Sequence, residues 1–219
     1  MPGAVHNVNF HGVGEPPRSL TPGEAMVWIP LDRFLATLDA LAGRADVRIS
    51  FDDGNRSDVE LALPALAERG MTATFFVLAG RLDAPGHLGP EDVRRLVDAG
   101  MTIGSHGLHH RNWRRCGDDE LTTELAESRR LLEAITRTPV AQVAVPFGSY
   151  DRRVLGHARR AGRYDRVFTS DGGPASARAW LQPRTSVNND GTVAGQLAPD
   201  PHRLAATQRH VKRSVKRWR

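Results

Sequence analysis

One pattern recurs along the chain: an apolar, β-rich run, a turn, a helical period and then a glycine. Gly43, Gly70, Gly100 and Gly162 each close a helical stretch a few residues before the next apolar run, where a left-handed helix end costs glycine least. Such alternation implies parallel strands joined by right-handed crossovers, which either close into a barrel or stay open as a doubly wound sheet. Candidate strands fall at 5–10, 47–51, 72–78, 102–104, 143–145, 166–169 and 184–187, a number that suits a barrel. Between them, Phe34, Leu35, Leu38 and Leu41 share one helical face, as do Val93, Leu96 and Val97, and Leu121, Leu125, Leu132 and Ile135. Pro30 suits a first helical turn, Pro64 predicts a late start or a kink, and residues 12–23 read as a long loop.

In either architecture the ligand site lies at the carboxyl ends of the strands. Five sets of residues follow strand ends directly: His11; Asp52 and Asp53; Ser105 and His106; Pro146 and Phe147; and Asp171. All should therefore meet at one mouth.

Adjacent carboxylates at a strand end repel each other and lose hydration, so Asp52 and Asp53 call for a compensating cation or a shared proton. His106 and His110 are spaced to face one side of a helical turn, and a carboxylate from a neighbouring strand would complete three protein ligands. Two histidines and a carboxylate with open positions suit catalytic zinc (Zn2+), while Co2+, Ni2+ or Fe2+ fit the same set.

Ser50-Phe51-Asp52-Asp53-Gly54, then Ser105-His106-Gly107-Leu108-His109-His110, then Val145-Pro146-Phe147-Gly148, resemble the first three motifs of the polysaccharide deacetylases, the NodB-homology proteins of carbohydrate esterase family 4. The resemblance spans about residues 5–190. It implies a distorted (β/α)7-type barrel in a single α/β domain, placed at residues 1–200 with a basic tail at 201–219. It also implies Asp52 as general base and Asp53, His106 and His110 as ligands of one divalent ion, with Pro146, Phe147 and Gly148 in the substrate groove.

The departures from the family pattern are specific. Gly107 replaces the usual Ser or Thr, and Ala144 stands where an Arg usually steadies the base, so Arg184 is the expected substitute. Asp171 and Trp180 only echo the fourth motif, and the late Leu-x-His that supplies the general acid is missing after residue 190. His11 follows an apolar strand at the other end of the chain, beside the last strand of a barrel. It is expected to take the acid's place, as in the circularly permuted branch that deacetylates poly-N-acetylglucosamine, with His109 as a second candidate. Trp113, Phe147, Tyr150 and Trp28 are candidates to stack on sugar rings.

The expected activity is hydrolysis of the acetamide of an N-acetylated glycan or glycoconjugate. Alternatives are hydrolysis of a cyclic imide or ureide, or a catalytically impaired glycan-binding protein. The net charge of +5 resembles a nucleic-acid signal until it is located: six of the 30 basic residues lie from Arg209 onward with no acid among them, leaving 24 against 25 acidic residues before it. No nucleic acid is expected as a partner, whereas the tail could meet an anionic membrane surface. A single cysteine, Cys116, excludes an intrachain disulfide framework. Residues 1–12 lack signal-peptide character and no apolar run is long enough to span a bilayer. The expected location is therefore cytoplasmic or peripheral at the inner membrane surface.

Overall fold

The computed structural model describes residues 3–189 and Lys216. Seven parallel strands close into a barrel: β1 (Ala4–Phe10), β2 (Val47–Asp53), β3 (Ala73–Val77), β4 (Thr102–Ser105), β5 (Gln142–Ala144), β6 (Arg166–Thr169) and β8 (Leu181–Ser186). The short β7 (Ala175–Ser176), which the sequence pattern did not signal, pairs antiparallel with β1. β1 closes the barrel by lying between β2 and β8, with Asn9 opposite Ser50 on one side and Ser186 on the other.

Strand alternation sends two different sets of side chains to the two sides of the barrel wall. Phe10, Phe51 and Phe75 face outward and stack at centroid distances of 5.3 and 4.7 Å, with Phe34 of α2 (Leu31–Leu41) edge-on to Phe10. The main apolar core is thus the layer between the barrel and its helices, to which α4 (Pro90–Asp98) adds Val93 and Leu96 and α5 (Asp118–Thr136) adds Leu121, Leu125 and Leu132. The barrel interior is divided. Phe76, Ala144 and Phe168 form a small apolar cluster on the β3, β5 and β6 side, while Asn7, Asn9, Ser50, Asp52, Gln182 and Arg184 make the β1, β2 and β8 side polar.

Three of the four expected glycine helix ends adopt the left-handed conformation: Gly43, Gly70 and Gly100 have φ of 73°, 60° and 78°. Gly162 is different. It follows α6 (Arg152–Arg160) without a positive φ, and a Cβ there would lie 2.4 Å from the Tyr164 ring, so close packing is what requires glycine. Pro30 stands just before α2 rather than within its first turn, and a π-helical turn at Asp58–Ala62 precedes Pro64 at the start of α3 (Leu63–Glu68). The expected loop at 12–23 ends in a short helix, α1 (Pro22–Val27), capped reciprocally by Thr21 and Glu24, a signature the apolar periodicity does not carry. Among the described residues no helix is long and apolar enough to cross a membrane. The boundary expected at residue 200 and the tail expected to meet an anionic surface lie outside the described residues, Lys216 excepted.

Candidate active site

A cleft of about 630 Å³ opens at the carboxyl ends of the strands, and His11, Asp52, Asp53, His106, His110 and Phe147 all line it. Consecutive strand residues normally face opposite sides of a sheet. Asp53 escapes that rule because its φ is 77°, a left-handed turn that brings its carboxylate to the same mouth as that of Asp52. His110 (φ 57°) and Phe147 (φ 58°) share this uncommon backbone state, so local strain gathers at the cleft.

Asp52 is buried against Arg184, whose Nη1 and Nη2 donate to its two oxygens at 2.6 and 2.7 Å. Asn9 donates to Asp52 at 3.1 Å and accepts from both Ser50 (2.7 Å) and Arg184 (2.8 Å). Burial opposes the charge on Asp52, but the Arg184 guanidinium outweighs it and holds the carboxyl well below the usual carboxylate range. Arg184 is thus ion-paired with Asp52, the contact expected of it in place of an Arg at position 144.

Asp53 has no such partner. Burial and the neighbouring Asp52 charge push it up to about 6, and its Oδ1 is buried without a hydrogen bond. The Nε2 atoms of His106 and His110 lie 3.5 and 3.6 Å from that oxygen, and the three ligand atoms are all within 4.8 Å of one another. His106 is fixed by its Nδ1, 2.9 Å from the carbonyl of Ala144, which assigns the proton to Nδ1 and leaves the Nε2 lone pair toward Asp53. Burial lowers His106 to about 3 and lowers His110 as well, so both rings are neutral donors. An orphaned buried carboxylate facing two neutral imidazoles suits a divalent cation.

The two histidines do not converge through a helical turn, as their spacing suggested. Residues 106–110 form a loop kinked at Gly107 (φ 84°) and His110. Gly107 is needed for space too: a Cβ would lie 2.6 Å from Glu124 Oε2 and 3.1 Å from Trp113. Glu124 in turn accepts from the backbone N–H groups of Leu108 (2.9 Å) and His109 (3.3 Å) and so holds the loop.

His11 reaches the mouth from β1, its Nε2 3.9 Å from Asp52 Oδ2 and its Nδ1 buried without a partner. Phe147 is 64% exposed and packs 4.3 Å from the His110 ring, whereas Pro146 and Gly148 are buried and shape the loop that presents it. Trp113 corrects the expectation of sugar stacking: it is fully buried beneath Gly107, as is Tyr150 beside Asp171, and neither ring can meet a ligand. Asp171 is occupied by Tyr150 (2.7 Å), Thr169 (2.8 Å) and Lys216 (2.7 Å), and Lys216 also donates to the carbonyl of Gly148 at 3.1 Å. Trp28 does line the cleft; Trp180 is turned toward the carbonyl of Tyr164, and His109 is exposed beyond the cleft.

Sequence reasoning missed Asn9, although it lies two residues before His11 on the same strand face, and it missed Arg18, Glu24 and Arg81, which complete the cleft wall. Only the alternation of β1 could have signalled Asn9. The others depend on loop paths that the apolar pattern does not encode.

Residues 42–164 match the family described as polysaccharide deacetylase, which is more than half of the chain. The chain belongs to the polysaccharide deacetylase family. Among its relatives, the Bacillus subtilis protein YxkH is 28% identical over 159 residues, covering 73% of this chain and 54% of that protein. A chitooligosaccharide deacetylase of Rhizobium leguminosarum bv. trifolii is 28% identical over 118 residues, covering 53% of each. The chain thus spans about half the length of the curated relatives it matches. The fold is also that of the Streptococcus pyogenes deacetylase PplD, with a TM-score of 0.79 at 19% identity, covering 91% of this chain and all of that one.

Proposed function

We propose that this chain hydrolyses the acetamide of an N-acetylated sugar, releasing acetate and a free amine, with Asp53, His106 and His110 holding one divalent ion, for which zinc suits the donor set. The observation that carries this reading is the division of labour between two adjacent carboxylates: Asp52 is neutralised by Arg184, whereas Asp53 is left unpaired opposite two neutral histidines. A related protein named as a chitooligosaccharide deacetylase supports the substrate class. When bound, the ion would polarise the acetamide carbonyl and acidify the attacking water, which a base as weak as Asp52 requires.

Arg184 keeps Asp52 ionised and fixed, so the carboxylate is always ready to accept a proton; the same ion pair limits its basicity. His11, beside Asp52 at the end of the neighbouring strand but too far from it for a hydrogen bond, can carry a proton on Nε2 toward the departing amine. Phe147 offers an exposed ring beside His110 against which a pyranose face can rest. The intact trio and the ion-paired Asp52 favour hydrolysis over glycan binding alone.

The test combines metal analysis with acetate release from N-acetylglucosamine oligomers. Reconstituted protein should hold about one ion per chain and release acetate, and His106→Ala should lose both. Protein that takes up no metal, or a His106→Ala variant that holds it as tightly, overturns the assignment.

A further inference from the structure

Arg81 ends the short turn Ala79–Arg81 that follows β3 and lines the cleft. Its position is tied to the ligand loop: the backbone N–H groups of Ala79 and Gly80 donate to the carbonyls of Gly107 (3.0 Å) and Leu108 (3.1 Å). Gly80 itself lies so close to that loop that a Cβ would be 2.6 Å from the His109 ring. Arg81 is half-buried, yet among the described residues its guanidinium takes part in no hydrogen bond and no ion pair. It acts on Asp53, His87 and His110 only through its field.

The other cation lining the cleft is already engaged, and each carboxylate there already faces a partner or the candidate metal position. Arg18 donates to Glu24 at 2.6 Å, Asp52 is held by Arg184, and Asp53 belongs to the trio with His106 and His110. A guanidinium presents five donors in a planar fork that matches the paired oxygens of a phosphate or carboxylate, and removing it from water without such a partner is unfavourable.

Building on the deacetylase reading, we propose that Arg81 is a specificity residue that receives an anionic group of the substrate, a phosphate or carboxylate carried by the N-acetylated sugar unit or its immediate neighbour. Neutral oligomers then fill the cleft but leave this fork unsatisfied.

Binding is measured without turnover. Chelator-stripped protein is titrated calorimetrically with N-acetylglucosamine, N-acetylglucosamine 1-phosphate and N-acetylmuramic acid, so that neither chemistry nor a bound ion contributes. At least one anionic sugar should bind roughly 10- to 100-fold more tightly than the neutral one, a preference that weakens with added salt. Arg81→Gln should bring the affinities together, and Arg81→Lys should keep part of the preference. Preference for the phosphate alone identifies a sugar phosphate as the natural class, and preference for the carboxylate alone identifies an acidic sugar. Equal affinity for charged and neutral sugars in the wild type, or a preference that survives in Arg81→Gln, overturns the proposal. Acetate release by the metal-loaded protein is scored separately: its absence with every sugar would refute the deacetylase reading while leaving the anion preference directly measured.

Discussion

Replacing Arg184 with methionine preserves much of its volume and removes the cation that contacts both oxygens of Asp52. The carboxylate would keep one hydrogen bond, from Asn9, at a position that is 3% exposed. Removing one partner of a buried ion pair costs about 3–5 kcal/mol, because the remaining charge is uncompensated. With a slope of about 2 kcal/mol per molar urea, the unfolding midpoint should fall by about 1.5–2.5 M. The pH dependence has a definite sign. In the native protein the Asp52 pKa is depressed, so its stabilisation is present above the ordinary value of 3.8 and is lost as pH falls through the folded-state value. Without Arg184, burial dominates and the folded-state pKa rises above that ordinary value. The variant's deficit should then be largest near neutrality and shrink on acidification, as Asp52 protonates in both states. Urea unfolding of chelator-treated protein, followed by circular dichroism over descending pH, measures this directly. A loss below about 1 kcal/mol, or a deficit that does not change with pH, would refute the account of Asp52 and Arg184 as a tightly coupled pair.

His11→Ala should lower kcat for the acetamide by about 10²–10⁴-fold with metal content unchanged, and much less for an ester analogue whose alcohol leaves more easily; equal losses for both would remove His11 as the acid. Gly107→Ala should destabilise the protein by about 1–3 kcal/mol, since the added methyl meets Glu124 and Trp113 in a left-handed backbone. A thermal midpoint equal to that of the wild type would contradict this packing argument.

The barrel was legible because its strands are short apolar runs separated by helical periods, and six of the seven expected runs coincide with strands to within about two residues. The last was displaced: β8 begins at Leu181 rather than at 184, since its interior-facing residues are Gln182 and Arg184, which carry no apolar signal. Asp52, Asp53 and His106 were legible from residue type at strand ends, and His110 from its spacing to His106. The path bringing the two histidines together was not, because it depends on a left-handed turn at Gly107 packed against Glu124 and Trp113 and on a second at His110. Trp113 failed as a sugar platform for the same reason, since aromatic identity does not reveal which side of a loop is covered. Arg81 was invisible because nothing in its local sequence marks a charge left without a partner.

The closure of the barrel by β1 between β2 and β8 also has a consequence in time. Arg184 is 132 residues downstream of Asp52, and at about 5–20 residues per second a ribosome needs about 7–26 s to synthesise that interval. Throughout it, the growing chain already contains Asp53, His106 and His110 or is adding them, while Asp52 lacks its arginine and β1 lacks its parallel neighbour β8. The polar half of the barrel interior cannot be sealed until the final strand arrives. Synthesis therefore orders assembly, with the helix-facing aromatic layer free to form early and the interior carboxylate remaining in water until its arginine arrives.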